Sequence, residues 1–299
     1  MQHHFGIERL SMNAGVDHSN PALQCYVQSI AVLGPGLPNW TVTQEILCGQ
    51  QGYQKRELQI PPATCLPATE RRRVDNRVRL ALAVGQAATE AASINNANAL
   101  TGANELASVF TSSSGDGDNC HALFTVLAHS ESSERFLSPT RFHNSVHNAP
   151  AGYWSIASQC MLPSTSLCAY DASFAAGLLE ACCQGKATGK KVLLVSSDVM
   201  YPQPLNGVRS MSSNFAVAMV LHTVATNTAL AKLVLKCTTE PVSQMKTPTL
   251  EELRLSNPSA RSLPLLQAIA KRANLGGKGL PEIVYVEYLD PLSLEILVE

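Results

Sequence analysis

Between Ser166 and Ala181 the chain reads SLCAYDASFAAGLLEA. Cys168 stands just ahead of an alanine-rich run with helical character. A thiol at the mouth of a helix is placed to act as a thiolate, because the helix dipole lowers its pKa. Acyl-transfer enzymes use such a group as a nucleophile. Asp171 lies three residues on, nearer to the expected helix start. A carboxylate there is stabilised as an anion, which makes it a weak nucleophile and a good N-cap. Asp171 is therefore read as a cap, and Cys168 as a reactive thiol or, more commonly, a small buried wall residue.

Other groups carry weaker chemistry. His143 and His147 are spaced i, i+4 and would offer two metal ligands on one helical face. The flanking Asn and Pro predict a loop instead, no third ligand accompanies them, and backbone hydrogen bonding is the expected role. SGDGDN (114–119) has the acidic spacing that begins a calcium loop but lacks the later bidentate Glu, so a solvated turn is expected. Arg71, Arg72 and Arg73 form a short basic patch, a solvated helix face or a dock for an acidic partner. Nine cysteines occur without a CxxC pair, which removes the usual zinc spacing and fits a reducing compartment.

These groups need a scaffold, and the 299 residues supply one. Hydrophobic residues make up 45% and charged residues 15%, enough apolar side chains for a large core. Lys+Arg 22 against Asp+Glu 23 leaves a net charge of -1, which excludes an obvious nucleic-acid groove or polybasic membrane patch. No apolar run has the length of a membrane span, and the first residues lack a secretory core, so a cytoplasmic protein is expected.

Residues 1–21 read as a loose arm. QCYVQSIAVLG (24–34) reads as a strand ending in a Gly/Pro loop, followed by a short helix at TVTQEILCGQ. From Pro67 a long helix is predicted, capped by Thr69, with Val74, Val78 and Leu82 on one face. A strand near 106, a helix at CHALFTVLAH, and a loop feeding a short helix after Pro150 come next. The helix from Ala172 presents Phe174, Leu178 and Cys182 at i, i+4, i+8 and is expected to stop at Gly185. KKVLLVSSD is a buried strand; NFAVAMVLHT and 229–238 read as a strand pair joined at VATN. One helix near 261–274 and two terminal strands follow. Alternating β and α, then paired strands, predict a layered α/β domain.

The order of these segments is similar to the ketosynthase family. FHNSVHNAPAGYWSIA (142–157) resembles the segment in which an Asn-Ala-x-Ala-Gly run precedes the nucleophile. Ketosynthases read approximately STACASGLHAIGEA, with the cysteine at the fourth place. Set without gaps against CAYDASFAAGLLEA (168–181), Asp171 falls on that cysteine, while Ala172, Ser173, Glu180 and Ala181 match. A second register puts Cys168 on the nucleophile and loses the Ser, Glu and Ala matches. ERRRVDNRVRLALAVGQAATEA, KKVLLVSSDVM and NFAVAMVLHT resemble the family's first long helix and two later strands. The resemblance covers 24–223.

The resemblance implies a thiolase-like layered fold with a complete N-terminal half, 22–223, and a truncated C-terminal half, 224–299, that completes the same domain. Family chemistry needs a thiolate and two histidines from the C-terminal half. Here Asp171 occupies the thiol's place, and no histidine follows His222. What remains resembles a chain-length factor of type II polyketide, aryl-polyene pigment or fatty acid synthesis. Such a subunit is non-catalytic by itself, pairs as a heterodimer with an active ketosynthase, and shapes the tunnel in which an acyl or polyene chain grows. Dimerisation in the family implies an interface at about 164–170, with Met161, Cys168, Tyr170 and Phe174 near the tunnel. Arg71, Arg72 and Arg73 become candidates for docking an acyl carrier protein. No resident cofactor or metal is implied, although a carrier's acyl phosphopantetheine would be encountered. No nucleic acid or integral membrane association is implied. The alternative is an active acyl-transfer or thioester-hydrolysing enzyme using Cys168, with His143 or His147 as base.

Overall fold

The structure is a computed structural model that describes residues 22–92, 102–129, 131–276 and 279–299. The expected arm, 1–21, lies outside the described residues. The chain begins with strand β1 (Leu23–Leu33) and runs through α1 (Trp40–Leu47), α2 (Ala68–Arg71) and α3 (Asn76–Ala92) to β2 (Ala107–Thr111). Helices α4 (Gly117–Leu127), α5 (Pro139–Ser145) and α6 (Ala149–Ser158) precede β3 (Ser164–Leu167), α7 (Ser173–Thr188) and β4 (Val192–Asp198). Then come α8 (Leu205–Val208), β5 (Phe215–His222), β6 (Ala231–Thr238), α9 (Pro248–Ser256), α10 (Leu263–Asn274), β7 (Glu282–Glu287) and β8 (Ser293–Val298).

The strands form one eight-stranded sheet in the order β3-β2-β4-β5-β1-β6-β8-β7. β3, β2 and β4 are parallel, and every other neighbouring pair is antiparallel. β4 and β5 are buried along almost their whole length, as their near-continuous apolar sequences require of strands covered on both faces. Successive residues feed opposite cores: Leu194 joins one cluster and Leu193 the other. On one face the core takes Phe174 and Leu178 of α7 and Leu266 and Ile269 of α10. On the other it takes Leu80 and Leu82 of α3 and Trp154 of α6. The layered α/β architecture expected from the sequence is present. No helix among the described residues is long and apolar enough to cross a membrane.

Six local expectations are corrected. The segment after Pro67 is two helices: α2 ends at Arg71, and Asp75 accepts a hydrogen bond from Val78 N (2.9 Å) to cap a new start at α3. Thr69 lies inside α2 and caps nothing. The loop before Pro150 contains α5, started by Pro139 with Ser138 accepting from Arg141 N. α7 runs past Gly185, which is buried against Thr223, and stops at Gly189 in the left-handed region (φ 66). The Pro/Ser-rich stretch holds α9, entered through Pro248. Finally, β5 and β6 are not a hairpin: β1 lies between them and pairs with both. An apolar strand such as β1 needs a neighbour on each side, and Leu230 N donating to Val27 O (2.8 Å) ties the crossing link to it.

α7 sits close on the sheet because Gly177 has no side chain. A Cβ there would meet Thr111 Cγ2 at 2.7 Å and Leu194 Cδ1 at 3.0 Å. Gly177→Val is expected to destabilise the fold by about 1–3 kcal/mol through overpacking. Urea unfolding of both proteins measures it, and an unchanged midpoint would contradict the close approach.

Candidate functional site

The carboxyl ends of the three parallel strands converge on one region. β2 continues into Ser112–Ser114, β3 into Cys168–Tyr170, and β4 ends at Asp198. After β3 the chain makes a sharp elbow. Tyr170 has φ 53, a left-handed conformation that is rare outside glycine, and 170–172 form one 3-10 turn leading into α7. Ser173 holds the elbow from inside. Its Oγ accepts from Ala169 N (3.0 Å), lies 2.7 Å from Tyr170 O, and lies 3.0 Å from Ser112 O.

Asp171 does not cap α7. The residue before that helix is Ala172, with no side-chain cap. The carboxylate turns instead to two arginines. Arg209 Nη2 lies 2.8 Å from Oδ1, and Arg261 Nη2 lies 3.1 Å from Oδ2. The Arg209 guanidinium also stacks on the Tyr170 ring, 3.3 Å from its centroid. Arg261 continues to Glu287, whose other oxygen meets Arg254 Nη1 at 2.9 Å. Arg254 in turn binds Glu251 (2.7 Å), and this bond holds the Glu251 carboxyl below its ordinary pKa. Alternating charges thus run from the elbow to β7. The cap reading fails because a guanidinium pair outcompetes neutral amides for a carboxylate.

Cys168 is exposed, yet packing around its sulfur raises the thiol pKa; Arg77 and a Ser112 hydrogen bond oppose this without reversing it. Among the described residues no imidazole is hydrogen-bonded to it. His143, on α5, meets the Tyr153 ring edge-on at 5.9 Å. His147 lies beyond α5, and its carbonyl accepts from Arg77 Nη2 (2.9 Å). Because Val146 is extended, the two histidines do not share a helical face. No three-ligand cluster for a metal exists among the described residues. The SGDGDN turn spends its carboxylate on structure: Asp116 accepts from Asn119 N (2.7 Å) as the cap of α4.

Of the remaining candidates, Met161 and Tyr170 are exposed, 95% and 60%. Phe174 is fully buried in the core, so it packs this chain's interior and joins no surface. Arg71 donates to the carbonyls of Thr64 and Leu66, Arg73 pairs with Glu70, and Arg72 faces solvent. Sequence reasoning missed Arg209 and Arg261, which carry no motif. It also missed the buried Asp198, which accepts from Ser113 N (2.8 Å), Ser113 Oγ (2.7 Å) and Ser259 Oγ (2.6 Å). The available signal was SSD at the end of a buried strand, since an acid there must be hydrogen-bonded.

Residues 47–275 match the family described as the beta-ketoacyl synthase N-terminal domain. The chain belongs to this family. No curated protein matches it. Among solved structures, it is similar to a chain of the ketosynthase (ApeO) in complex with its chain length factor (ApeC) from Xenorhabdus doucetiae, at 23% identity and TM-score 0.66, covering 92% of this chain and 99% of that one. It is likewise similar to a chain of the ishigamide ketosynthase/chain length factor, at 12% identity and TM-score 0.68, covering 92% and 99%. A third likeness is to a chain of the AntDE:AntF complex of a type II acyl-carrier protein with its ketosynthase, at 10% identity and TM-score 0.69, covering 93% and 99%. At these identities the likeness is one of fold, the thiolase-like ketosynthase fold. Within it, this family member carries a carboxylate bound by two guanidiniums where the resemblance places a thiol.

Next to the site, Asp75 shares the buried ground between α3 and α4 with Asp116. Asn119 Nδ2 donates to Asp75 Oδ2 (2.9 Å). Burial, then the charge of Asp116, push the Asp75 carboxyl up to about 7. The folded protein therefore holds a proton between about pH 4, where an unfolded Asp releases it, and about pH 7. Stability contributed by this group is greatest at the acid end of that window and falls as pH rises through it. Thermal melts from pH 4 to 8 should show this decline, and Asp75→Asn should flatten it. An unaltered slope in the variant would exclude Asp75 as the titrating group.

Proposed function

We propose that the chain is a non-catalytic, chain-length-factor-type subunit that pairs with an active ketosynthase and forms part of the wall around its growing acyl or polyene chain. The observation that carries this reading is Asp171: where the resemblance places the nucleophile stands a carboxylate with each oxygen engaged by a guanidinium. A carboxylate held by two guanidiniums is stabilised as the anion, which makes it a poor nucleophile, and its acyl adduct would be a mixed anhydride. The Cys168 alternative is disfavoured by its raised thiol pKa and the lack of a hydrogen-bonded base.

The sheet edges favour β3 as the docking side. At the other end, β7 is screened: Ser243 N donates to Tyr285 O (2.9 Å), and Tyr285 N donates to Ser243 Oγ (3.0 Å). Among the described residues β3 pairs only with β2. An open edge is a template for strand addition. Exposed apolar residues lie on the elements beside it, among them Ile156 of α6, Met161 and Tyr170. Arg72, with Arg71 and Arg73 beside it, offers positive charge to an acidic acyl carrier protein. The proposed setting is cytoplasmic polyene, polyketide or fatty-acyl synthesis.

Co-expression with a candidate partner ketosynthase from the same source should yield a stable heterodimer in size-exclusion chromatography. Met161→Glu or Tyr170→Glu should weaken that complex at least about tenfold, the effect of desolvating a charge at an interface. A wild-type chain that never co-purifies with the ketosynthase would refute the pairing. The wild-type chain alone should neither decarboxylate malonyl carrier protein nor condense it; turnover by it would refute the non-catalytic reading.

A further inference from the structure

Residues 51–61 cross the surface as a strap without regular secondary structure. The strap is pinned at both ends. Tyr53 Oη donates to Pro35 O (2.8 Å). The next carbonyl, Gln54 O, lies against Gly36 (φ +72), only 2.0 Å from where a Cβ would sit. At the far end Arg79 Nη2 donates to Ile60 O (2.6 Å), and its Nε donates to Pro61 O (3.3 Å).

Under the strap is a cavity of about 490 Å³ with an apolar floor of Leu33, Leu37, Val42 and Ile46. This volume is in the range of small-molecule sites. A second cavity of about 300 Å³ adjoins it, and Arg56 and Leu58 line both. The second lobe is walled in part by Ser213, 8% exposed, whose Oγ is buried without a hydrogen-bond partner among the described residues. A buried hydroxyl without a partner is costly unless a ligand or water supplies one. Arg56 is exposed and hydrogen-bonds the neutral Gln54 Oε1 (3.2 Å). Glu57 shares the rim, and Lys55 of the second lobe is paired with Glu252 (3.8 Å), which disfavours polyanions and leaves one negative charge to be met at Arg56. None of the residues lining either lobe belongs to the Asp171 site.

We propose that this two-lobed cleft binds a single-chain amphiphile with one anionic head, of the medium-chain fatty-acid type. The chain occupies the lobe floored by Leu37, Val42 and Ile46, where apolar burial drives binding. The head lies over Arg56, where the lobes meet.

Isothermal titration of the full chain with decanoate, decanol and acetate tests this. Decanoate should bind saturably at one site and acetate should not bind. Arg56→Gln should weaken decanoate about tenfold, the worth of one charge-assisted hydrogen bond, and leave decanol unchanged. Val42→Trp, filling the floor, should abolish binding of both. Should that variant fail to fold, Gly52→Phe serves, because a Cβ at Gly52 meets nothing within 4 Å. No saturable decanoate binding, or binding indifferent to these substitutions, overturns the proposal.

Discussion

One carboxylate joins three distant segments. Asp171 on the elbow receives Arg209 from just beyond α8 and Arg261 from the turn that opens α10. An isolated exposed ion pair contributes less than about 1 kcal/mol. This one is different because it continues inward through Glu287 to Arg254, whose side chain is 3% exposed, and there the loss of one partner would strand a buried charge. The members therefore stand together as a network. The place where the resemblance sets a ketosynthase's nucleophile is, in this chain, a structural junction. The Tyr170 backbone, held left-handed, is stabilised by the same Arg209 that binds the carboxylate.

That junction depends on how the C-terminal segment is attached. Residues beyond β5 add β6, β8 and β7 to the free side of β1, so the sheet is continuous from β3 to β7. Arg261 and Glu287 both come from this added segment. If β5 and β6 had formed a hairpin, β1 would lose a neighbour and the segment would be displaced from the elbow. The same insertion builds a core in which α7 and α10 pack on one face, with Leu194 and Met219 beneath them.

Much of the fold was legible in the sequence because it is written in burial. β4 and β5 announce themselves as apolar runs, α7 as Phe174, Leu178 and Cys182, and α10 as its own apolar stripe. The helix starts were harder, since Thr69, Asp75 and Asp171 are all good caps by type and only tertiary competition decides which is used. The pairing of β1 with β6 was not legible either: nothing local distinguishes a hairpin from a crossing when the link is as short as 223–230. At the site, the resemblance singled out Cys168 and Asp171, and the segment that carries them folds as an elbow. The arginines that answer it were hidden, because an ion pair 38 residues apart in sequence leaves no periodicity.

The two ends of the sheet are unequal, and the inequality has a stoichiometric meaning. β7 is screened by the segment around Ser243, while β3 pairs on one side only. A sheet that can be lengthened at both ends propagates; one that can be lengthened at a single end is complete after one addition. In the proposed pairing through β3, assembly closes at two subunits, with the covered edge as a terminator against fibre growth.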